Sequence, residues 1–97
     1  MVEMNDELRA EIVEVIWSIL EATLRVDSDK VSILSHQLNV KEYEFRAEVP
    51  KQEFSSQEMN VLRQPTTVEY DGNTCEVSFE GIDTADSTNE LVFTVTI

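Results

Sequence analysis

Hydrophobic residues in the first quarter of the chain recur at spacings of three and four, a pattern that predicts an amphipathic helix over residues 6–25. Asn5 fits the N-cap position, and two acidic residues follow in the first turn, where the helix dipole favours negative charge. Two adjacent apolar stripes run along this helix. The first comprises Leu8, Ile12, Val15, Ile16, Ile19, Thr23 and Val26, and the second comprises Val13, Trp17, Leu20 and Leu24.

The two stripes together cover roughly 200° of the helix circumference. A helix that rests on one sheet needs little more than half of that arc. We therefore expect a second helix or a second copy of the chain to cover Trp17 and Leu24. The remaining face, called the helix ridge, is either solvated or a contact for a basic partner. It carries Glu7, Glu11, Glu14, Ser18, Glu21 and Arg25.

Alternating apolar and polar residues predict strands in the rest of the chain. The clearest strand covers residues 40–49 and ends at Pro50. A shorter strand is expected at residues 31–34, with an extension toward Leu38. The later strands are predicted at residues 67–70, 74–80 and 91–97, with an Asp71-Gly72-Asn73 hairpin turn after the first of them and a polar loop over residues 81–89.

A second helix is predicted over residues 56–63 by the signals at its start. Ser55 and Glu58 fit a capping box, in which each side chain binds the backbone N–H of the other residue. Phe54 and Met59 fit a hydrophobic staple across the same cap. The helix is expected to stop before the proline at position 65.

The element order α-β-β-α-β-β-β predicts a single α+β domain over residues 1–97. We expect two layers, an antiparallel sheet of about five strands with two helices on one face. Strand alternation divides the sheet side chains between a face toward the helices and an opposite face. The inner set is Tyr43, Phe45, Ala47, Val49, Val68, Tyr70, Cys75, Val77, Phe79, Leu91, Phe93, Val95 and Ile97. The outer set is Glu42, Glu44, Arg46, Glu48, Glu69, Glu76, Ser78, Glu80, Thr94 and Thr96.

Glutamate dominates the predicted outer face, and Arg46 is its one base. Neighbouring strands lie about 5 Å apart, so like charges on them repel, and glutamate also has low strand propensity. Solubility or a basic partner explains why a sequence accepts that cost. The candidate partner-binding residues are Glu42, Glu44, Glu48, Glu69, Glu76 and Glu80.

The composition describes a folding chain with a strongly acidic surface. Apolar residues make up 41% of the 97 residues, and Asp and Glu number 20 against 7 Lys and Arg, which gives a net charge of −13. A surface of that sign does not bind a phosphate backbone, so no direct nucleic-acid contact is expected. Solubility or adaptation to high salt is the alternative explanation of the charge.

Few residues are candidates for catalysis or metal binding. Cys75 is the single cysteine and His36 the single histidine, which excludes an intramolecular disulfide and a cysteine-based zinc site. Cys75 falls on the inner face and is expected to be a buried structural thiol. Asp27 and Asp29 match the first spacing of a calcium loop, but the glycine and distal glutamate of that loop are missing. We predict no catalytic residue, no metal and no cofactor.

The N-terminal segment is acidic and lacks the basic and then apolar pattern of a signal peptide. The longest apolar stretch, residues 12–24, contains Glu14 and Glu21 and is too short to span a bilayer. We therefore expect a soluble cytoplasmic protein that makes no contact with a membrane.

These features favour a small, acidic, non-enzymatic binding protein. We expect an inhibitor that covers the basic surface of a nucleic-acid-binding protein, such as a nuclease, and associates by electrostatic steering. Toxin-immunity proteins and phage-encoded anti-defence proteins are the general classes that work in this way. The alternative is a homo-oligomeric accessory or chaperone-like protein, in the simplest case a homodimer. Its interface would consist of Val13, Trp17, Leu20 and Leu24 on the wide apolar face of the first helix.

Overall fold

The computed structural model describes residues 4–23 and 28–97. Its helices are α1 (Asp6–Thr23) and α2 (Ser56–Arg63), and a 3-10 turn lies at Ser28–Lys30. Its strands are β1 (Ser32–Gln37), β2 (Glu42–Pro50), β3 (Thr66–Tyr70), β4 (Asn73–Thr84) and β5 (Thr88–Thr96). Two helices, a five-stranded antiparallel sheet and this element order confirm the predicted α+β fold class. The first helix is predicted to end at Arg25, and residues 24–27, Leu24 among them, lie outside the described residues.

The sheet has the strand order β1-β2-β5-β4-β3, and all neighbouring strands run antiparallel. The last strand of the chain, β5, therefore lies at the centre of the sheet. β5 pairs with β2 on one side and with β4 on the other, although α2 and β3 separate β2 from β4 in the sequence. β1 and β3 form the two edges.

The hydrophobic core fills the space between the helices and one face of the sheet. Phe93 at the centre pairs across strands with Phe45 on one side and Phe79 on the other. The rings of Phe79 and Phe93 meet edge to face with their centroids 5.5 Å apart. The other buried sheet residues of the core are Ala47, Val49, Val68, Cys75, Val77, Leu91 and Val95. All of them belong to the predicted inner set.

α1 buries one line of side chains against this core. Asn5 caps the helix, as predicted, because its Oδ1 accepts a hydrogen bond from the N–H of Leu8 at 2.8 Å. The fully buried residues of α1 are Leu8, Ile12, Ile16, Leu20 and Thr23. Leu20 and Trp17, which the sequence pattern placed together in the second stripe, thus differ in burial. Leu20 lies in the core, whereas Trp17 is half-buried at the margin of the core.

α2 begins with the predicted capping box and has the predicted bounds. Ser55 Oγ accepts from the N–H of Glu58 at 3.1 Å, and the Glu58 side chain accepts from the N–H of Ser55 at 2.9 Å. Leu62 is the buried residue of this helix, which contacts α1 and β4. Phe54 and Met59, the predicted staple, are both half-buried and pack against the core.

The β3–β4 hairpin is confirmed, with Asp71 and Gly72 as a two-residue loop. Both residues have positive φ angles, 50° and 76°, as a type I′ turn requires. Asn73, expected in the turn, instead pairs with Tyr70 as the first residue of β4.

The predicted polar loop over residues 81–89 is wrong, because β4 and β5 together cover most of it. A bulge between Phe79 and Gly81 leaves Glu80 without a cross-strand partner. Gly81 then pairs with Val92, and the next residue packs against the core instead of facing outward. A bulge resets the alternation of a strand, so a strict period of two no longer fits the sequence beyond it.

Candidate functional site

An array of carboxylates covers the side of the sheet opposite the helices, which we call the outer face. Cross-strand partners share a face, so the pairings of Glu44 with Thr94 and of Glu48 with Glu90 define its members. Its carboxylates are Glu42, Glu44, Glu48, Glu69, Glu76, Glu80, Asp83 and Glu90. Among the described residues, Arg46 is the single Lys or Arg on this face. The fold thus brings the six predicted contact residues to one face.

Arg46 connects the three central strands of the outer face. From β2, its Nε donates to Glu44 Oε1 at 2.6 Å. Its Nη1 donates to Asp83 Oδ2 on β4 at 2.7 Å and to Glu90 Oε2 on β5 at 3.1 Å. These four residues are called the Arg46 cluster. The planar guanidinium has enough fixed N–H donors to hold several carboxylates at once, which a lysine ammonium does less well.

The Arg46 cluster holds its charges in a fixed arrangement. The side chain of Glu44, followed by those of Asp83 and Glu90, raises the pKa of Arg46 above its usual value, so the guanidinium stays charged. One cation therefore faces three carboxylates, and the cluster remains net negative. The side chain of Glu44 is only 15% exposed and also lies 3.5 Å from His36 Nε2. The Glu44 carboxylate is thus engaged with neighbouring side chains of the outer face and exposes little surface to a partner.

The other five predicted contact residues differ in how they are presented to solvent. Glu42 is half-buried and accepts a hydrogen bond from Asn39 Nδ2 at 2.9 Å. The remaining four are exposed, namely Glu48, Glu69, Glu76 and Glu80. These four carboxylates, spread over β2, β3 and β4, are the part of the array that a partner meets first.

Asp83 and Glu90 belong to the site although the sequence analysis does not place them there. The pattern assigns Asp83 to a loop and leaves Glu90 just before the last strand. The available signal is Gly81, because an isolated glycine within an alternating segment is typical of a bulge. Extending β4 through a bulge at that glycine would have placed Asp83 on the outer face, and starting β5 one residue earlier would have placed Glu90 there.

A shallow recess of about 150 Å³ opens beside the Arg46 cluster. Its lining residues are Arg46, Glu80, Gly81, Asp83 and Val92. The bulge shapes this recess, since Gly81 adds no side chain next to Val92. The wall of the recess carries the carboxylates of Glu80 and Asp83, and Asp83 already accepts a hydrogen bond from Arg46.

The residues proposed for a homodimer do not form one exposed surface. Leu20 has no exposed surface in the single chain, so a second chain cannot contact it without a change in the core. Val13 and Trp17 are half-buried and pack against the core. Leu24 lies outside the described residues. The wide apolar arc is thus largely used within the monomer.

The helix ridge is the rival acidic surface. Glu7, Glu14 and Glu21 are exposed on it, whereas Glu11 turns inward. The Oε2 atom of Glu11 is buried and has no hydrogen-bond partner among the described residues. It lies next to a shallow groove of about 320 Å³ between α1 and β3. The ridge therefore offers fewer and more widely spaced acids than the outer face.

Cys75, the single cysteine, lies in the hydrophobic core. Cys75 is buried, as predicted, and burial followed by the charge of Glu11 raises the pKa of its thiol above the usual value. A protonated, enclosed thiol is a poor nucleophile. Within residues 4–23 and 28–97, no group of His, Cys, Asp and Glu side chains is arranged to hold a metal ion. In the same part of the chain, no helix is long and apolar enough to cross a membrane.

Comparison of the chain with protein families, curated proteins and solved structures finds no match. Function is therefore inferred from the charges, exposure and contacts of the outer face.

Proposed function

We propose that this protein is a non-enzymatic inhibitor of the immunity or anti-defence type, which covers the basic surface of a nucleic-acid-binding protein with its outer face. The observation that carries this proposal is the sign of the charge on that face. Arg46 is its single described Lys or Arg, and its hydrogen bonds hold three of the carboxylates. The five described strands contain no other Lys or Arg that could neutralise the exposed carboxylates around Arg46.

The spacing of the carboxylates suits the basic groups of a nucleic-acid-binding protein. Alternate residues on a strand lie about 6.8 Å apart and neighbouring strands about 4.8 Å apart, so the acids form a grid on one face. Proteins that bind nucleic acid present arginine and lysine to phosphate oxygens. A carboxylate accepts the same two-pronged contact from arginine as a phosphate does. The outer face can therefore occupy groups that otherwise hold a phosphate backbone.

The Arg46 cluster supports this role by fixing the acids before the partner arrives. Binding costs less when the contact groups are already ordered. A guanidinium that joins β2, β4 and β5 orders Glu44, Asp83 and Glu90 and leaves Glu48 and Glu76 exposed beside them. Long-range attraction from the net charge of −13 then speeds the encounter with a basic partner.

The test compares two double variants with the same change of charge. Glu48→Lys with Glu76→Lys reverses two exposed acids of the outer face that lie outside the Arg46 cluster. Glu14→Lys with Glu21→Lys reverses two exposed acids of the helix ridge. Each protein is immobilised and used to capture partners from lysate of the source cells. Bound proteins are eluted by rising salt or by short duplex DNA and identified by mass spectrometry.

We expect the wild type and the ridge variant to capture a basic nucleic-acid-binding protein that duplex DNA displaces. The outer-face variant should lose that capture at least about tenfold while keeping its circular dichroism spectrum and melting temperature. Loss of capture in the ridge variant alone would move the contact to α1. A captured partner that is not basic, or that DNA does not displace, would contradict the proposal.

A further inference from the structure

Among the five described strands, only the edge strand β1 carries no Asp, Glu, Lys or Arg. Natural sheets commonly protect their edges with charges, prolines or bulges, because an open edge pairs with other chains. β1 has none of these, and the opposite edge strand, β3, carries Glu69. Large apolar side chains are also exposed on and beside β1, namely Leu34 at 72%, Leu38 at 48% and Val40 at 71%.

Within residues 4–23 and 28–97, no other strand pairs with the edge side of β1, so a regular set of its backbone hydrogen-bonding groups is unpaired in this part of the chain. Leu38 N–H donates to Glu42 O, and hydrogen-bonded pairs alternate along an antiparallel ladder. Even-numbered residues of β1 therefore bond to β2. The N–H of Ile97 donates to Lys41 O on the other side of β2, which agrees with this assignment. The N–H and C=O groups of Ile33, Ser35 and Gln37 consequently point away from the sheet.

We propose that β1 pairs antiparallel with β1 of a second copy of this chain, which gives a homodimer with one continuous sheet. An open edge requires an extended strand as its occupant. The lack of Asp, Glu, Lys and Arg on β1 indicates which strand that is. Two chains of charge −13 repel, and β1 is the strand at which they approach without placing ionised groups opposite each other. A basic strand would instead be matched better by an acidic edge such as β3.

One register uses every free group of the edge. With the two-fold axis at Ser35, the outward groups of Ile33 meet those of Gln37 in the second copy, and Ser35 meets Ser35. All three outward-facing residues of each strand then form hydrogen-bonded pairs. On the outer face, Leu34 packs against His36 of the second copy, and Leu38 lies opposite Ser32. The exposed leucines are thus covered without any change in the monomer.

In the dimer the sheets of the two copies form one continuous sheet, and cross-strand partners share a face. The two outer faces therefore lie side by side on the same surface of that sheet. The inference does not depend on the proposed function. The dependence on salt distinguishes dimerisation from binding of a basic partner. Screening by salt weakens the attraction between the acidic outer face and a basic partner, but it also reduces the repulsion between two acidic copies of the chain. Dimerisation should therefore strengthen with salt, whereas capture of the basic partner should weaken.

Sedimentation equilibrium of the full chain over a range of concentrations tests the dimer. We expect the average mass to rise with concentration toward twice that of one chain, and to rise further at higher NaCl. Leu34→Glu places a charge at the edge and should weaken dimerisation at least about tenfold. Val61→Glu makes the same change of charge at an exposed apolar residue of α2 and should dimerise like the wild type.

A proline variant tests the backbone pairing itself. Ser35→Pro removes an outward N–H that β2 does not use, and proline is tolerated on edge strands. It should abolish the dimer and retain the circular dichroism spectrum of the fold, whereas Ser35→Ala should dimerise normally. A wild type that stays monomeric at all concentrations and salts would overturn the proposal. Dimerisation of Ser35→Pro at wild-type strength, or equal loss in Val61→Glu, would also overturn it.

Discussion

At the scale of single residues, Arg46 has the largest effect on how the outer face is organised. Its guanidinium binds carboxylates from β2, β4 and β5, the three central strands. Glu48, Glu90 and Asp83 lie in a row across neighbouring strands, where like charges repel. The guanidinium binds two of them, Asp83 and Glu90, and so offsets part of that repulsion. Arg46 thus allows an acidic face to exist on a sheet that would otherwise be weakened by repulsion.

Replacing Arg46 by methionine should lower the urea concentration at which the protein unfolds. The substitution keeps most of the aliphatic stem but leaves three carboxylates close together without a cation. Because that repulsion is electrostatic, the loss should shrink as NaCl is added. Urea unfolding followed by circular dichroism at low and high salt measures both effects.

Arg9→Met is the matched control for Arg46→Met. Arg9 is an exposed residue of α1 that pairs with Asp6 at 3.6 Å, and exposed pairs contribute little to stability. Its substitution should leave the unfolding midpoint almost unchanged. Equal midpoints for the two variants would show that the Arg46 cluster does not organise the sheet.

At the scale of elements, local sequence signals determine α2 and tertiary pairing determines β4. The capping box of Ser55 and Glu58 closes the start of α2 with bonds between neighbours in sequence, so the bounds of this helix follow from local chemistry. β4 passes through Gly81 and a bulge before it pairs with β5. Its length depends on a partner strand that lies later in the chain.

Replacing Ser55 by alanine should destabilise the protein by about 1 kcal/mol, because the first turn of α2 loses a hydrogen-bond acceptor for its free N–H groups. Ser56→Ala, one residue later, removes a hydroxyl from the first turn and leaves the cap intact, so it serves as the control. Urea unfolding of the two variants measures the difference. A loss in Ser56→Ala as large as that in Ser55→Ala would contradict the role of the cap.

At the scale of the whole molecule, the net charge of −13 acts against the compact state. The folded chain gathers carboxylates on the outer face and on the helix ridge, while the unfolded chain spreads them over a larger volume. Screening by salt should therefore favour the folded state. The same charge is what attracts the proposed basic partner, so stability and binding respond to salt in opposite directions.

The melting temperature should rise by about 5 °C between low-salt buffer and concentrated NaCl, which corresponds to about 1 kcal/mol for a domain of this length. NaCl is preferred to sulfate, because sulfate also strengthens hydrophobic burial. The Glu14→Lys, Glu21→Lys variant has less charge to screen and should show a smaller rise. A melting temperature that is flat or falls with NaCl would show that self-repulsion is not a significant term.

Local sequence patterns were enough to predict the element order, both helix starts and most of the inner face. These features depend on neighbours in the chain, such as the cap of Asn5 on Leu8, or on the period of hydrophobic residues along one element. The same patterns also predicted which six glutamates share the outer face, because alternation within a regular strand is a local property.

Contacts between distant parts of the chain set how exposed each of those glutamates is and which surfaces of the described residues remain open. The bulge at Glu80 brings Asp83 to Arg46, and this depends on pairing between β4 and β5. The packing of α1 decided that Leu20 is buried, since two adjacent stripes on a helix are equivalent until a sheet covers one of them. Strand order decided that uncharged β1 lies at an edge, because hydrogen bonding between distant strands sets it and no local pattern records it.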